Sequence, residues 1–85
     1  MDTKERSKMR NDFLKELYDA FYEKGGTGVI VDVAGEEGRD KELIYKPFVD
    51  VGLMEVKGHG MGKRMYTITA RGIFKVEEME NENNN

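Results

Sequence analysis

Residues 45–72 read YKPFVDVGLMEVKGHGMGKRMYTITARG. They spell the end of a helix, a Gly-Leu turn, a strand, a glycine-rich loop, a returning strand and a new helix start. Gly52 stops the first helix and Leu53 to Val56 makes the first strand. Gly58-His59-Gly60-Met61-Gly62 is a flexible tip. From Arg64 to Thr69, Met65, Thr67 and Thr69 alternate against Tyr66 and Ile68. Thr69 is placed to cap a last helix running from Ala70 to about Glu80. The hairpin carries charge of one sign. Between Val56 and Val76 there is no acid, but there are Lys57, Lys63, Arg64, Arg71 and Lys75. Phosphate is the commonest partner of such a loop.

Upstream, helical spacing runs from about Met9 to Lys24. Met9, Phe13, Leu17, Ala20 and Phe21 recur on one face. Leu14, Tyr18 and Tyr22 widen the apolar stripe beyond what one core needs. Residues 1–8 read as frayed, and Gly25-Gly26 ends the helix. Two readings stay open for Thr27 to Ala34. The β-branched run favours a strand. A short helix capped by Thr27, with Ile30, Val33 and Ala34 inward, is the other. We expect an extended entry at Thr27–Val29 merging into a helical turn or two. Gly35-Glu36-Glu37-Gly38 reads as a turn. Arg39 to Val51 is the next helix, with Ile44, Phe48 and Val51 on its inner face. Pro47 removes a backbone donor there, so this helix is expected to kink or divide. Residues 1–80 form one domain on this reading, and 81–85 form a disordered polar tail.

Composition narrows the function classes. The chain has 85 residues, no cysteine and one histidine, His59. Disulfides and thiolate metal sites are excluded, and a zinc site is improbable. No apolar run approaches the roughly 20 residues that span a bilayer, and the charged opening MDTKERSKMRND has no signal-peptide pattern. A cytoplasmic location is expected. The net charge is −3. With Glu77, Glu78, Glu80 and Glu82 set aside from the 17 acids, 13 remain against 14 bases. The body is therefore near neutral with local basic patches. His59 has no partnered Ser, Cys or second His, so no catalytic site is expected. Gly58, Gly60 and Gly62 lack the P-loop spacing, and no helix begins there.

The stretch 45–72 resembles the winged helix-turn-helix superfamily of small prokaryotic transcription regulators. Members read Leu-Lys-Pro-Leu-x-x-x-Gly-Leu-Ile, a wing, then Tyr-x-Ile-Thr-x-x-Gly. This chain reads Tyr45-Lys46-Pro47-Phe48-Val49-Asp50-Val51-Gly52-Leu53-Met54, and after the wing Tyr66-Thr67-Ile68-Thr69-Ala70-Arg71-Gly72. The fold class so implied is mainly α with a small antiparallel β-hairpin (α+β): a three-helix core, a wing and a C-terminal helix. The chain departs from the pattern in the middle, where Val33-Ala34-Gly35-Glu36-Glu37-Gly38 leads straight into Arg39-Asp40-Lys41-Glu42. With Gly38 as the turn glycine the recognition segment is about one turn short. With Gly35 in that role the length fits, and Glu36 and Glu37 enter the helix start.

The resemblance implies a recognition helix over about 38–51 in the major groove and a wing over 57–64 on the backbone or minor groove. Arg39, Lys41, Tyr45 and Lys46 would then face DNA, with Arg39 on guanine and Tyr45 and Lys46 on phosphate. Lys57, His59, Lys63 and Arg64 of the wing would contact phosphate, the glycines allowing close backbone approach. Leu14, Tyr18, Tyr22, Phe74 and Met79 are the candidates for a homodimer interface of terminal helices. The expected activity is double-stranded DNA binding by a small homodimeric transcription regulator. No cofactor, metal, membrane or small-molecule substrate is implied. The alternative is a protein-interaction winged helix without DNA binding, favoured by the neutral body, the acids on the third helix and the acidic tail.

Overall fold

The computed structural model describes residues 1–83. Its elements are α1 (Thr3–Glu23), β1 (Val29–Asp32), α2 (Gly35–Asp50), β2 (Met54–Gly58), β3 (Lys63–Ile68) and α3 (Ala70–Asn83). Among the described residues this is a mainly α chain, three helices with one three-stranded antiparallel sheet in the order β1-β3-β2. The fold class matches the expectation.

Helix α1 begins six residues before the apolar periodicity does. Asp2 caps it, its carboxylate accepting from the Glu5 amide at 2.8 Å, and this satisfies one of the four free donors of a helix start. Residues 3–8 are thus helical rather than frayed. Gly25 and Gly26, both with positive φ, end the helix as the sequence suggests.

Residues 29–32 resolve the open segment as a strand. Val29 pairs with Tyr66 and Asp32 with Lys63, so β1 lies along β3. The helical turns expected after Val29 do not form. Strand alternation leaves Val29 and Val31 half-buried and turns Ile30 outward, 50% exposed. Ala34 is exposed as well, and of the three residues expected inward only Val33 is buried. The Asp32 carboxylate accepts from the Ala34 amide at 2.9 Å and turns the chain toward α2.

Helix α2 therefore starts at Gly35, and Glu36 and Glu37 occupy its first turn, where carboxylates favour the positive end of the helix dipole. Gly38 is inside the helix rather than in a turn. A Cβ there would meet the Val33 carbonyl carbon at 2.3 Å, so only glycine lets α2 lie this close to the end of β1. The helix is assigned unbroken through Pro47. Proline removes the amide that would reach the Leu43 carbonyl. On the next carbonyl, that of Ile44, Arg10 Nε donates at 2.6 Å, and the Arg10 guanidinium lies 5.7 Å from the Phe48 ring centre. This joins α1 to α2 at the weakest turn of α2. Arg10→Ala is expected to cost about 1.5 kcal/mol, the range of a charge-assisted hydrogen bond, readable as a lower urea midpoint at constant m. Val51, expected inward, is 54% exposed because the helix ends at Asp50 and Gly52 turns away with φ +83°.

Register partners share a sheet face. Tyr66, Ile68 and Met54 point to the helices and are buried, while Lys57, Lys63, Met65 and Thr67 belong to the opposite face. The core centres on three rings. Phe13 stacks on Tyr45 at 4.0 Å, and Tyr66 meets both edge-on at 5.2 and 5.5 Å. Leu14, Leu17, Ile44, Ile68 and Val76 close around them.

Thr69 joins β3 to α3. Its hydroxyl donates to the Gly52 carbonyl at 2.6 Å and accepts from the Gly72 amide at 3.1 Å. One side chain thus caps α3 and ties it to the α2–β2 turn. Gly72 completes the joint, since a Cβ there would lie 2.0 Å from the Leu53 carbonyl oxygen. Helix α3 continues through Asn83, past the expected boundary at 80. Residues 84–85 of the expected tail lie outside the described residues.

Candidate nucleic-acid interface

The β2–β3 hairpin ends in a tight turn. The Lys63 amide donates to the Gly60 carbonyl at 2.9 Å, and the two central residues, Met61 and Gly62, have φ of +46° and +76°. Two positive φ values are what a type I′ turn requires. Met61 is 96% exposed at the apex. The turn does not hang free. The Val33 amide donates to the Gly62 carbonyl at 2.7 Å, and a Cβ on Gly62 would come within 2.9 Å of the Ala34 Cβ.

Three of the expected hairpin contacts are exposed there: Lys57, His59 and Lys63. Register sets Lys63 across from Asp32, yet the Asp32 carboxylate is engaged by the Ala34 amide. The ion pairs among the described residues involve none of these three side chains. Arg64 differs. It lies on the helix side of the hairpin, half-buried, and its Nε is 3.4 Å from Glu42 of α2.

The α2 contacts divide. Arg39 and Lys46 are exposed, but Lys46 pairs with Asp50 at 3.0 Å. Lys41 is half-buried at the flank of the helix. Tyr45 is a correction. It is 6% exposed and stacked on Phe13, so its ring holds the core and is not presented to phosphate. Aromatic residues read as contacts only if they fall on the outer arc of the helix, and Tyr45 follows Ile44 on the inner one. Burial raises the Tyr45 hydroxyl above its ordinary value.

No protein-family model, no curated relative and no solved structure matches this chain.

The expected dimer strip also changes. Leu14 is fully buried in the core and offers nothing to a partner. Tyr18 donates its hydroxyl to Glu77 at 3.1 Å, and Lys15 pairs with Glu80 at 2.7 Å, so α3 itself covers this side of α1. The Glu77 hydrogen bond raises the Tyr18 hydroxyl, and the Glu80 hydrogen bond raises the Lys15 ammonium. Met79 packs toward the core. Tyr22 and Phe74 remain exposed, Tyr22 beside Tyr18 and Phe21, Phe74 beside Leu53 and Arg71.

A groove of about 480 Å³ separates α2 from the hairpin. Apolar Leu43, Val49 and Val56 and the Tyr66 ring line it together with charged Arg39, Glu42, Lys46 and Asp50. Leu43, 66% exposed, was not among the residues the sequence singled out. An apolar residue within an otherwise charged helical strip was the available signal. No helix of the described residues is long and apolar enough to cross a membrane, and no three of their His, Asp or Glu side chains converge as metal ligands.

Proposed function

We propose that this chain is a non-enzymatic winged-helix module that binds double-stranded DNA, with the β2–β3 hairpin as its wing and main contact. The observation that carries this reading is the pair of exposed lysines on the hairpin, Lys57 and Lys63, with His59 exposed between them as a ring donor, none of the three held by an acid. Such groups release counterions from the phosphate backbone when they bind. The turn glycines give that backbone close access to the loop. Helix α2 plays a smaller part than the family pattern implies. Of its outward cations Lys46 pairs with Asp50 and Arg39 is exposed without an ion pair, while Arg64 of the hairpin pairs with Glu42 and Tyr45 faces inward. Regulation by occupancy of a DNA site, in a prokaryotic transcription setting, fits a module of this kind.

Fluorescence anisotropy on a mixed-sequence duplex tests the proposal. Affinity is expected to fall steeply with salt. The double variant Lys57→Ala/Lys63→Ala is expected to bind more weakly and to lower the slope of log K against log salt by about 2, near one unit per lost phosphate contact. Lys24→Ala, at the far end of α1, serves as the control with an unchanged slope. Absence of binding at low salt, or a slope that the double variant leaves intact, refutes the wing as a phosphate contact.

A further inference from the structure

Strand β2 is an edge of the sheet, with β3 as its one neighbour. In an antiparallel pair, alternate residues turn their amide and carbonyl toward the neighbour and the others turn them away. Two bonds fix which residues do which. The His59 amide donates to the Lys63 carbonyl at 3.0 Å, and the Thr69 amide donates to the Leu53 carbonyl at 3.2 Å. Leu53 and His59 therefore face β3, and so do Glu55 and Lys57 between them. Val56 and Gly58 turn their amides and carbonyls outward, where no loop or turn backbone of the described residues takes them up. Both residues are exposed. Such a row is a template for one more strand.

The groove between α2 and the hairpin runs beside this edge, with Val56 as its β2 wall. Leu43 and Val56, 66% and 36% exposed, leave its apolar side uncovered. Tyr66 lines it as well. That residue is 1% exposed, yet its hydroxyl has no hydrogen-bond partner among the described residues. No polar side-chain atom among them is both sealed and unpartnered, so this oxygen opens into the groove. Of the charges along the groove, Lys46 pairs with Asp50 and Glu42 with Arg64. Arg39 is left as its cation without an ion pair. The other charged residues of α2, Glu36, Glu37, Asp40 and Lys41, do not line it. Asp40 lies instead toward α1, with Arg6 and Arg10.

We propose that the β2 edge and this groove form a docking site for an extended segment of a different protein, added to β2 as a fourth strand. Val56 and Gly58 hold its backbone, and its alternate side chains enter the groove. One of these is apolar and packs between Leu43, Val49 and Val56. The next on the same face, two positions along, is acidic and meets Arg39. A second copy of this chain does not supply that pattern. The helix-side residues of its edge strands are Val29, Val31, Met54, Val56 and Gly58, with no acid among them. The partner is thus a protein, and it uses a different surface from the DNA-binding wing tip.

A bead library of acetylated, amidated heptapeptides, varied at the central positions, tests this against the labelled full chain. Retained peptides are expected to be enriched in an apolar residue two positions from Asp or Glu. With the best-retained peptide bound, amide hydrogen exchange is expected to slow at Val56 and Gly58 and to stay as it was at Glu55 and Lys57. N-methylation of the peptide amides that face β2 is expected to abolish binding, and N-methylation of the alternate ones to spare it. Arg39→Ala is expected to weaken binding about tenfold, as for loss of a charge-assisted hydrogen bond. Arg39→Glu is expected to shift the selection from acids to Lys or Arg. Leu43→Ala is expected to weaken binding about fivefold through lost apolar burial. Both positions are exposed, so neither substitution touches the core. No enrichment, a selection indifferent to Arg39→Glu, or a bound peptide that leaves exchange at Val56 and Gly58 unchanged overturns the proposal. Protection of those two amides by rising protein concentration alone would make a second copy the occupant and overturn it as well. No DNA is present, so failure here leaves the wing reading standing, and failure of the wing reading leaves this site standing.

Discussion

Gly72→Ala is expected to destabilise the protein by about 3 kcal/mol, the upper part of the range for forced overpacking. Helix propensity points the other way. In an open helix the same change gains close to 1 kcal/mol. The sign reverses here because the added methyl would sit 2.0 Å from the Leu53 carbonyl oxygen and 2.6 Å from the Ile68 side chain. The first of these is backbone and cannot rotate aside. Relief requires α3 to lift from the α2–β2 turn, which strains the bonds Thr69 makes to Gly52 and Gly72. Gly38→Ala tests the same reasoning at the start of α2, against the Val33 backbone. Gly58→Ala is the control, since nothing lies within 4 Å of its added carbon and its φ is not positive. Urea midpoints of the three variants check the prediction. A Gly72→Ala protein as stable as the wild type would mean that α3 does not seat against Leu53.

Tyr66→Ala is expected to cost roughly 3–5 kcal/mol, a large part of the stability of a small domain. Tyr66 is 1% exposed and touches both other rings of the core, so its removal leaves a void that Phe13 and Tyr45 bound on two sides. Tyr66→Phe keeps the ring and separates packing from ionisation. Burial, with Glu42 and Tyr45 adding to it and Arg64 opposing, raises the Tyr66 hydroxyl above its ordinary value of 10.0. The folded protein thus holds this proton more tightly than the unfolded chain does. Its contribution to stability is complete below pH 10 and is lost as pH climbs through the raised value. Tyr66→Phe is accordingly expected to lose less stability than the wild type between neutral pH and the alkaline range. Denaturant titrations at several pH values measure this, and parallel losses in both proteins would contradict it.

The sequence made the second half of the fold legible because local signals there agree with one another. Gly52, the alternation of Tyr66 and Ile68 against Met65 and Thr67, and the Thr69 cap each require the same hairpin and helix. The middle of the chain was less legible. TGVIVDVA suits a strand by propensity and a helix by position, and what decides it is pairing with Tyr66 and Lys63, more than 30 residues away. Gly38 resembled a turn residue because a glycine needed for close packing and a glycine needed for positive φ look alike in sequence. Of the candidate contacts, those on the hairpin are the ones whose exposure was legible. Lys57 and Lys63 are exposed on the hairpin strands, where side-chain direction follows simply from alternation, and His59 is exposed in the loop between them. On α2 and α1 a small rotation of the helix decides between core and surface. Tyr45 and Leu14 fell on the core side of that line, and Leu43 on the other.

The bond from the Val33 amide to the Gly62 carbonyl has a consequence for how the hairpin meets a ligand. A glycine-rich finger held only at its base samples many shapes and surrenders that freedom on contact, which weakens association. Here the fingertip is stitched to the strand that precedes α2, so much of that freedom is spent in folding. The cost of such stiffness is adaptability: the tip presents one contour, and surfaces that do not match it have to deform instead. The same stitch makes the fingertip and the first turn of α2 a single mechanical unit, so that a push on one is felt by the other.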